Sequence, residues 1–153
     1  MLPQHILVPV DFSVPSRQAL VYARELASKL LARMTLLHVV QTPPLGGEPT
    51  TGVGMAYADL MAQMEADASQ TMVGYVEHAR EGGLACDSVI IHGAPFEQIV
   101  AVARARQVDL IVMATHGHTG LQRFLLGSVA EKVVRLASCP VLVTRSPEEQ
   151  GDA

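Results

Sequence analysis

The chain has no tryptophan, and aromatic residues make up only 4% of it. That excludes the stacking platforms on which single-stranded nucleic acids are held. Positive charge is scarce as well. Eleven Lys and Arg against 15 Asp and Glu give a formal charge of −4, without the basic face of a general nucleic-acid binder. Two cysteines, Cys86 and Cys139, are too few for a disulfide framework, and neither has a C-x-x-C partner. No apolar run is long enough to span a bilayer. The opening MLPQHILVPVD has no basic region and no cleavage-site pattern, so we expect no export signal and a cytoplasmic protein. Three common signatures are also missing. The first strand-to-helix turn, DFSVPS, contains no glycine, so there is no dinucleotide fingerprint. G-x-x-x-x-G-K followed by Ser or Thr does not occur, and neither does the G-x-S-x-G elbow of serine hydrolases.

What remains is globular in kind. Of 153 residues, 49% are apolar and 17% charged, enough for one domain with a full core. We expect residues 1–146 to form it, followed by a polar tail, 147–153. His5–Val10 reads as a buried strand with Pro9 near its end, where a missing N–H is tolerated. Ser13 and Pro15 open a helix, and Ala19, Leu20, Ala23, Leu26, Ala27 and Leu30 keep helical spacing. A second strand ends at Val40. The stretch 41–58 holds three prolines and four glycines and is expected as a long loop, a lid or a binding segment. A helix is expected from about Asp59 to Arg80, its apolar side carrying Leu60, Met64, Ala68, Met72, Tyr75, Val76 and Ala79. A third strand leads to His92-Gly93, and Pro95 opens another helix. Strand Leu110–Met113, a fourth helix and strand Val141–Thr144 complete the order. This alternation gives an α/β fold, a single five-stranded parallel sheet with helices on both faces. Ligands of such sheets sit at the carboxyl ends of the strands, where strand order reverses. Asp11, Val40, His92 and Ala114–Gly117 fall at those ends.

The stretch that carries most chemistry is Ala114-Thr115-His116-Gly117, nine residues, then Gly127-Ser128. Ser128 and Glu131 have the S-x-x-E spacing of a capping box. In one reading Gly127 is a turn and Ser128 a cap. In the other, the N–H groups of Gly127, Ser128, Val129 and Ala130 cradle phosphate oxygens. Asp11 alone lacks the neighbouring acidic pair and strand-end lysine of a phosphoacceptor. His92, His116 and His118 fall short of a closed zinc site. Gly120, Leu121, Phe124, Leu125 and Leu126 are read as pinning the loop onto the core rather than as a partner patch.

The spacing G-x-x-G-x9-G followed by Ser or Thr, before a final helix and strand, resembles the ATP-binding branch of the universal stress protein family. ILVPVDFS, LLHVV, HG-x-P, MATHGHTG, LLGSVAEKVVR and CPVLVTR match it in order along nearly the whole chain. The resemblance implies a Rossmann-like, adenine-nucleotide α-hydrolase-like domain, usually dimeric. It implies that Pro9, Val10 and Asp11 lie against adenine and ribose, and that Val39 or Val40 borders the adenine. Met113 and Ala114 would pass under the ribose. His116 lies within the site loop, while Gly117, Gly127, Ser128, Val129 and Ala130 would hold phosphates. Ala114 departs from the motif's first glycine, where a methyl would crowd the ribose or forbid a positive φ. His118 stands where many members carry Arg, with Arg123 as a nearby substitute. The implied ligand is ATP, or ADP or AMP, with Mg²⁺ held mainly by the phosphates. The implied role is a nucleotide-dependent sensor or switch acting on an unknown protein partner. Hydrolysis would be slow at most, since no general base is placed for it. A homodimer is expected through Pro140–Arg145. A nucleotide-independent interaction module and a weak adenylate-processing enzyme are the alternatives.

Overall fold

The computed structural model describes residues 1–42, 52–115 and 126–145. Five strands form one sheet: β1 (His5–Pro9), β2 (Arg33–Val40), β3 (Cys86–His92), β4 (Leu110–Ala114) and β5 (Val141–Thr144). Their order is β3-β2-β1-β4-β5, and every pairing is parallel. The helices are α1 (Val14–Leu30), α2 (Gly52–Arg80), α3 (Pro95–Ala105) and α4 (Ser128–Leu136).

Because side chains alternate across a strand, β1 serves two cores at once. Ile6 and Val8 join one core with Leu20 and Ala23 of α1 and Met72 and Val76 of α2. Leu7 joins the other, with Ile99 and Val102 of α3 and Ala130 and Val133 of α4. Covering both faces is what an all-parallel sheet requires, and it explains the continuous apolar runs of β1 and β4. The expected entry to α1 is present. Ser13 is its N-cap, accepting from the Ser16 N–H at 3.3 Å, and Pro15 sits in the first turn, where its missing N–H is harmless. Leu31 ends the helix in the left-handed region, and its neighbour Ala32 donates to the Ala27 carbonyl.

Two expectations are corrected in α2. The helix starts at Gly52, about two turns before Asp59, so residues 52–58 are helical rather than loop. Gly52 and Gly54 lower helix propensity by about 1 kcal/mol each, which a 29-residue helix docked along its later turns absorbs. The remaining part of the expected loop, 43–51, lies outside the described residues. The core face differs from the expected one only in the first turns, while Ala68, Met72, Val76 and Ala79 are buried as expected. Leu60 and Met64 are exposed, and Met61 is buried. The sheet selects one of two adjacent apolar stripes, which periodicity alone does not separate.

At the amino ends of the strands lies a polar network. His5 is buried, and its Nε2 is 2.8 Å from the Thr35 hydroxyl, which donates to Asp87 at 2.5 Å. The His5 ring is held between that hydroxyl and the Arg106 carbonyl, which lies 3.2 Å from Nδ1. Arg106 donates to the other Asp87 oxygen at 2.9 Å. Burial, with the nearby Arg33 guanidinium, lowers the His5 pKa from its ordinary 6.5. Burial pushes the Asp87 carboxyl upward, but hydrogen bonds from Thr35 and Arg106 outweigh it and the net shift is down. Both native groups therefore bind protons less readily than their unfolded counterparts. Acid favours the unfolded chain, so the His5 contribution is complete above pH 6.5 and is lost as pH falls through its depressed native value. Urea unfolding across this range is expected to show stability falling with acid, and His5→Asn should flatten the slope. An equal slope in the variant would assign the effect elsewhere.

Candidate functional site

The chain leaves β1 toward β2 and β3, then returns to place β4 on the other side of β1. Strand order reverses between β1 and β4, which opens a crevice at their carboxyl ends. A cavity of about 210 Å³ lies there. Pro9, Val10, Asp11, Val39, Met113, Ala114, Gly127, Ser128, Val129 and Ala130 all line it.

One wall is the turn from β1 into α1. The Asp11 carboxylate accepts from the Ser13 N–H at 3.0 Å, and the Ser13 hydroxyl donates to the same oxygen. The Asp11 N–H donates to the Ser16 hydroxyl at 3.3 Å, and that hydroxyl donates on to the Ser13 carbonyl at 3.1 Å. The first turn of α1 thus fixes the backbone and the carboxylate of Asp11 together.

The opposite wall is the start of α4. Gly127, not Ser128, is the N-cap, and no side chain caps the helix. The expected capping box is absent: Ser128 is already helical, and Glu131 pairs with Arg135 at 2.7 Å. A helical backbone at Ser128 points its hydroxyl away from the N–H groups that a cap would reach. The Gly127 N–H is engaged too, donating to the Thr115 carbonyl at 2.9 Å. It ties the start of α4 to the end of β4 and does not face a ligand. The first bond closing the helix is Glu131 N–H to the Gly127 carbonyl. The N–H groups of Ser128, Val129 and Ala130 therefore have no intrahelical acceptor.

The structure separates the two valines of β2. Leu37 and Val39 line the cavity. Val40 alternates to the other face, is buried, and accepts from the Gly93 N–H at 3.0 Å. Ala114 is the last residue of β4, paired with Thr144. The positive-φ residues other than glycine are Phe12, Leu31 and Gln107 among the described residues, so the backbone at Ala114 asks for no glycine. His116, Gly117 and His118, with Gly120, Leu121, Arg123, Phe124 and Leu125, lie outside the described residues. His92 turns to Glu65 of α2, 2.7 Å away, rather than toward the cavity.

Ser16, Gln41, Pro95, Ile99 and Thr115 complete the lining; of these only Thr115 lay in the stretch singled out in the sequence. Pro95 had a signal, the HG-x-P turn. Ser16 looked like an ordinary first-turn residue. Asp11 is the one ionisable lining residue among the described residues. Among those residues, no three His, Cys, Asp or Glu side chains gather to hold a metal. Cys86 is buried, with its thiol pushed up to about 11 by burial, and Cys139 is half-buried.

A sequence model described as the Universal stress protein family matches residues 3–145. The chain belongs to that family. It is 34% identical to Universal stress protein MJ0531 of Methanocaldococcus jannaschii over 149 residues, covering 97% of this chain and 86% of the relative. Among solved structures it is similar to MJ0577, with a TM-score of 0.82, 30% identity and coverage of 94% and 96% of the two chains. It is also similar to universal stress protein UspA from Lactobacillus plantarum, with a TM-score of 0.84, 27% identity and coverage of 93% and 97%. As a universal stress protein, the chain keeps the motif's last glycine, Gly127, but uses it as cap and tether. Ser128→Ala is accordingly expected to change unfolding free energy by less than about 0.5 kcal/mol, where a capping serine typically loses about 1. Denaturant titration decides; a loss above 1 kcal/mol would restore the cap.

Proposed function

We propose that this universal stress protein binds ATP and works as a nucleotide-dependent sensor or switch. The observation that carries the reading is the pair of walls across the cavity. Ser128, Val129 and Ala130, whose N–H groups have no intrahelical acceptor, line it on one side, and Asp11 lines it on the other. A helix start attracts negative charge and suits phosphate oxygens, while a carboxylate suits a ribose hydroxyl. Pro9, Val10, Val39 and Met113 supply the apolar surface for a base. The cavity is smaller than the ~300–1,000 Å³ usual for ligand clefts, so a triphosphate would run out along α4. Mg²⁺ would then be held mainly by the phosphates, with few protein ligands.

Asp11 is both the only ionisable lining group described and a partner of Ser13. That suits binding better than turnover. Universal stress proteins of this fold have been solved with dAMP, in one from Archaeoglobus fulgidus, and with cAMP. At 24% and 21% identity they bear on the fold alone. Among the described residues no helix is long and apolar enough to cross a membrane. We place the protein in the cytoplasm, where thiols such as Cys86 and Cys139 stay reduced.

Thermal-shift titration with ATP, ADP, AMP and cyclic AMP, with and without Mg²⁺, tests the reading, together with nucleotide released on denaturation. ATP is expected to raise the melting temperature. Asp11→Ala should weaken it about tenfold or more, as loss of a hydrogen bond to a charged group does. Gly127→Val should weaken it by crowding the cavity wall. No released nucleotide and no shift at millimolar ligand would end the switch proposal.

We also propose a homodimer through β5. Ile111 donates to the Pro140 carbonyl and Thr115 to the Thr144 carbonyl. The even-numbered residues of β5 therefore face β4, and Val141 and Val143 direct their backbone groups outward from a sheet edge. Val143→Pro removes an outward N–H without touching the β4 ladder. Sedimentation is expected to show a dimer for the natural chain and a monomer for the variant. A dimer in both would place the interface elsewhere.

A further inference from the structure

Behind the cavity, on the opposite face of the sheet, three rings meet at the turn that carries Asp11. Phe12 adopts φ 64, a backbone region unfavourable for a residue with a bulky side chain. The other two such residues among the described ones, Leu31 and Gln107, stand just beyond helix ends, where that conformation is ordinary. Phe12 precedes a helix and has no such excuse, so something must hold it. Its ring stacks on His38 with centroids 4.3 Å apart and planes at 20°. Tyr75 of α2 meets the same ring edge-on at 5.1 Å and 67°. His38 Nδ1 lies 2.8 Å from the Val10 carbonyl. A carbonyl only accepts, so Nδ1 carries the proton and donates. The Val10 N–H in turn donates to the Leu37 carbonyl at 2.8 Å. Both backbone groups of Val10 are thereby bound to β2 beyond the last paired residue of β1, Pro9. None of the three rings lines the cavity.

We propose that His38 is a positioning residue of the nucleotide site: with Phe12 and Tyr75 it clamps the turn that presents Asp11, and through Tyr75 it couples the site to α2. The clamp acts from one side and the Ser13–Ser16 hydrogen bonds act from the other. Loosening the rings frees Phe12 to leave its strained conformation, which displaces Asp11 without any change in the cavity lining. Nucleotide bound to Asp11 would in return favour the clamped state, and with it the seated position of α2. The effect on affinity rests on the nucleotide reading above. The effect on the turn does not.

The test combines amide hydrogen exchange and ¹⁵N spectra of nucleotide-free protein with ATP titration, in the natural chain and in Tyr75→Leu, Phe12→Gly and Phe12→Tyr. The His38 ring nitrogens should report a protonated Nδ1. Tyr75→Leu should speed exchange at Asp11, Phe12 and Ser13 by about tenfold, the scale of one aromatic pair, while the interior of α1 keeps its protection. ATP affinity should fall by a similar factor. Phe12→Gly discriminates most sharply. Glycine relieves the strain at φ 64 but removes the stack, so a clamp predicts faster exchange and weaker binding, with Phe12→Tyr restoring both. Unchanged or slower exchange in Phe12→Gly would overturn the clamp, because the turn would then need only a positive φ. Faster exchange with unchanged affinity would overturn the positioning role. If the natural chain binds no ATP, the nucleotide reading fails by itself and the exchange comparison alone decides the clamp.

Discussion

The constraint on which the rest depends is the double engagement of β1. It is hydrogen-bonded to β2 on one edge and β4 on the other, and its side chains are buried on both faces. A strand so enclosed can take only apolar residues along its length, and the chain can leave it only at its ends. Its polar groups are accordingly concentrated there, with His5 at the amino end and Asp11 just past the carboxyl end. The first is built into a fixed network with Thr35, Asp87 and Arg106. The second is built into the cavity. The same enclosure makes β1 the boundary at which strand order reverses, which is why the cavity lies there.

On the nucleotide reading, the cavity would hold an anion with little side-chain charge. No Lys or Arg lines it among the described residues. The favourable field would come instead from the start of α4, where three N–H groups lack intrahelical acceptors and the helix dipole is positive. Hence a serine that fails to cap has a consequence. A capping hydroxyl at this helix start would have taken up one of those three donors. Gly127 contributes by having no side chain at the wall and by tethering α4 to Thr115. The other wall is stiffened in the same economical way, with short serine hydroxyls closing the turn around Asp11.

Much of this was legible along the chain. The alternation of strand and helix patterns implied a parallel sheet, and parallel pairing with covered faces follows from short apolar runs joined by long amphipathic crossovers. Ser13 and Pro15 marked the α1 start because their effect is local. Asp11 was reached through the strand ends and Gly127–Ala130 through the helix start, both of which survive without coordinates, whereas Pro9 and Met113 came from the family resemblance. The failures share a cause. Leu60 and Met64 look like core residues until the sheet is present to choose between adjacent helix stripes, and Met61 is buried in their place. Val39 and Val40 are equivalent until pleating assigns them to opposite faces.

By itself, then, the sequence determined the order and kind of elements, the reversal point and the glycine turn before α4, because period, capping and turn chemistry act over a few residues. Tertiary structure decided which face each residue serves and which donors are already taken. It turned Ser128 from a cap into a helical residue and committed the Gly127 N–H to Thr115. It removed the need for glycine at Ala114 and brought Phe12, His38 and Tyr75 into one stack. Those outcomes depend on partners 12 to 63 residues away along the chain, and no local rule specifies contacts at that range.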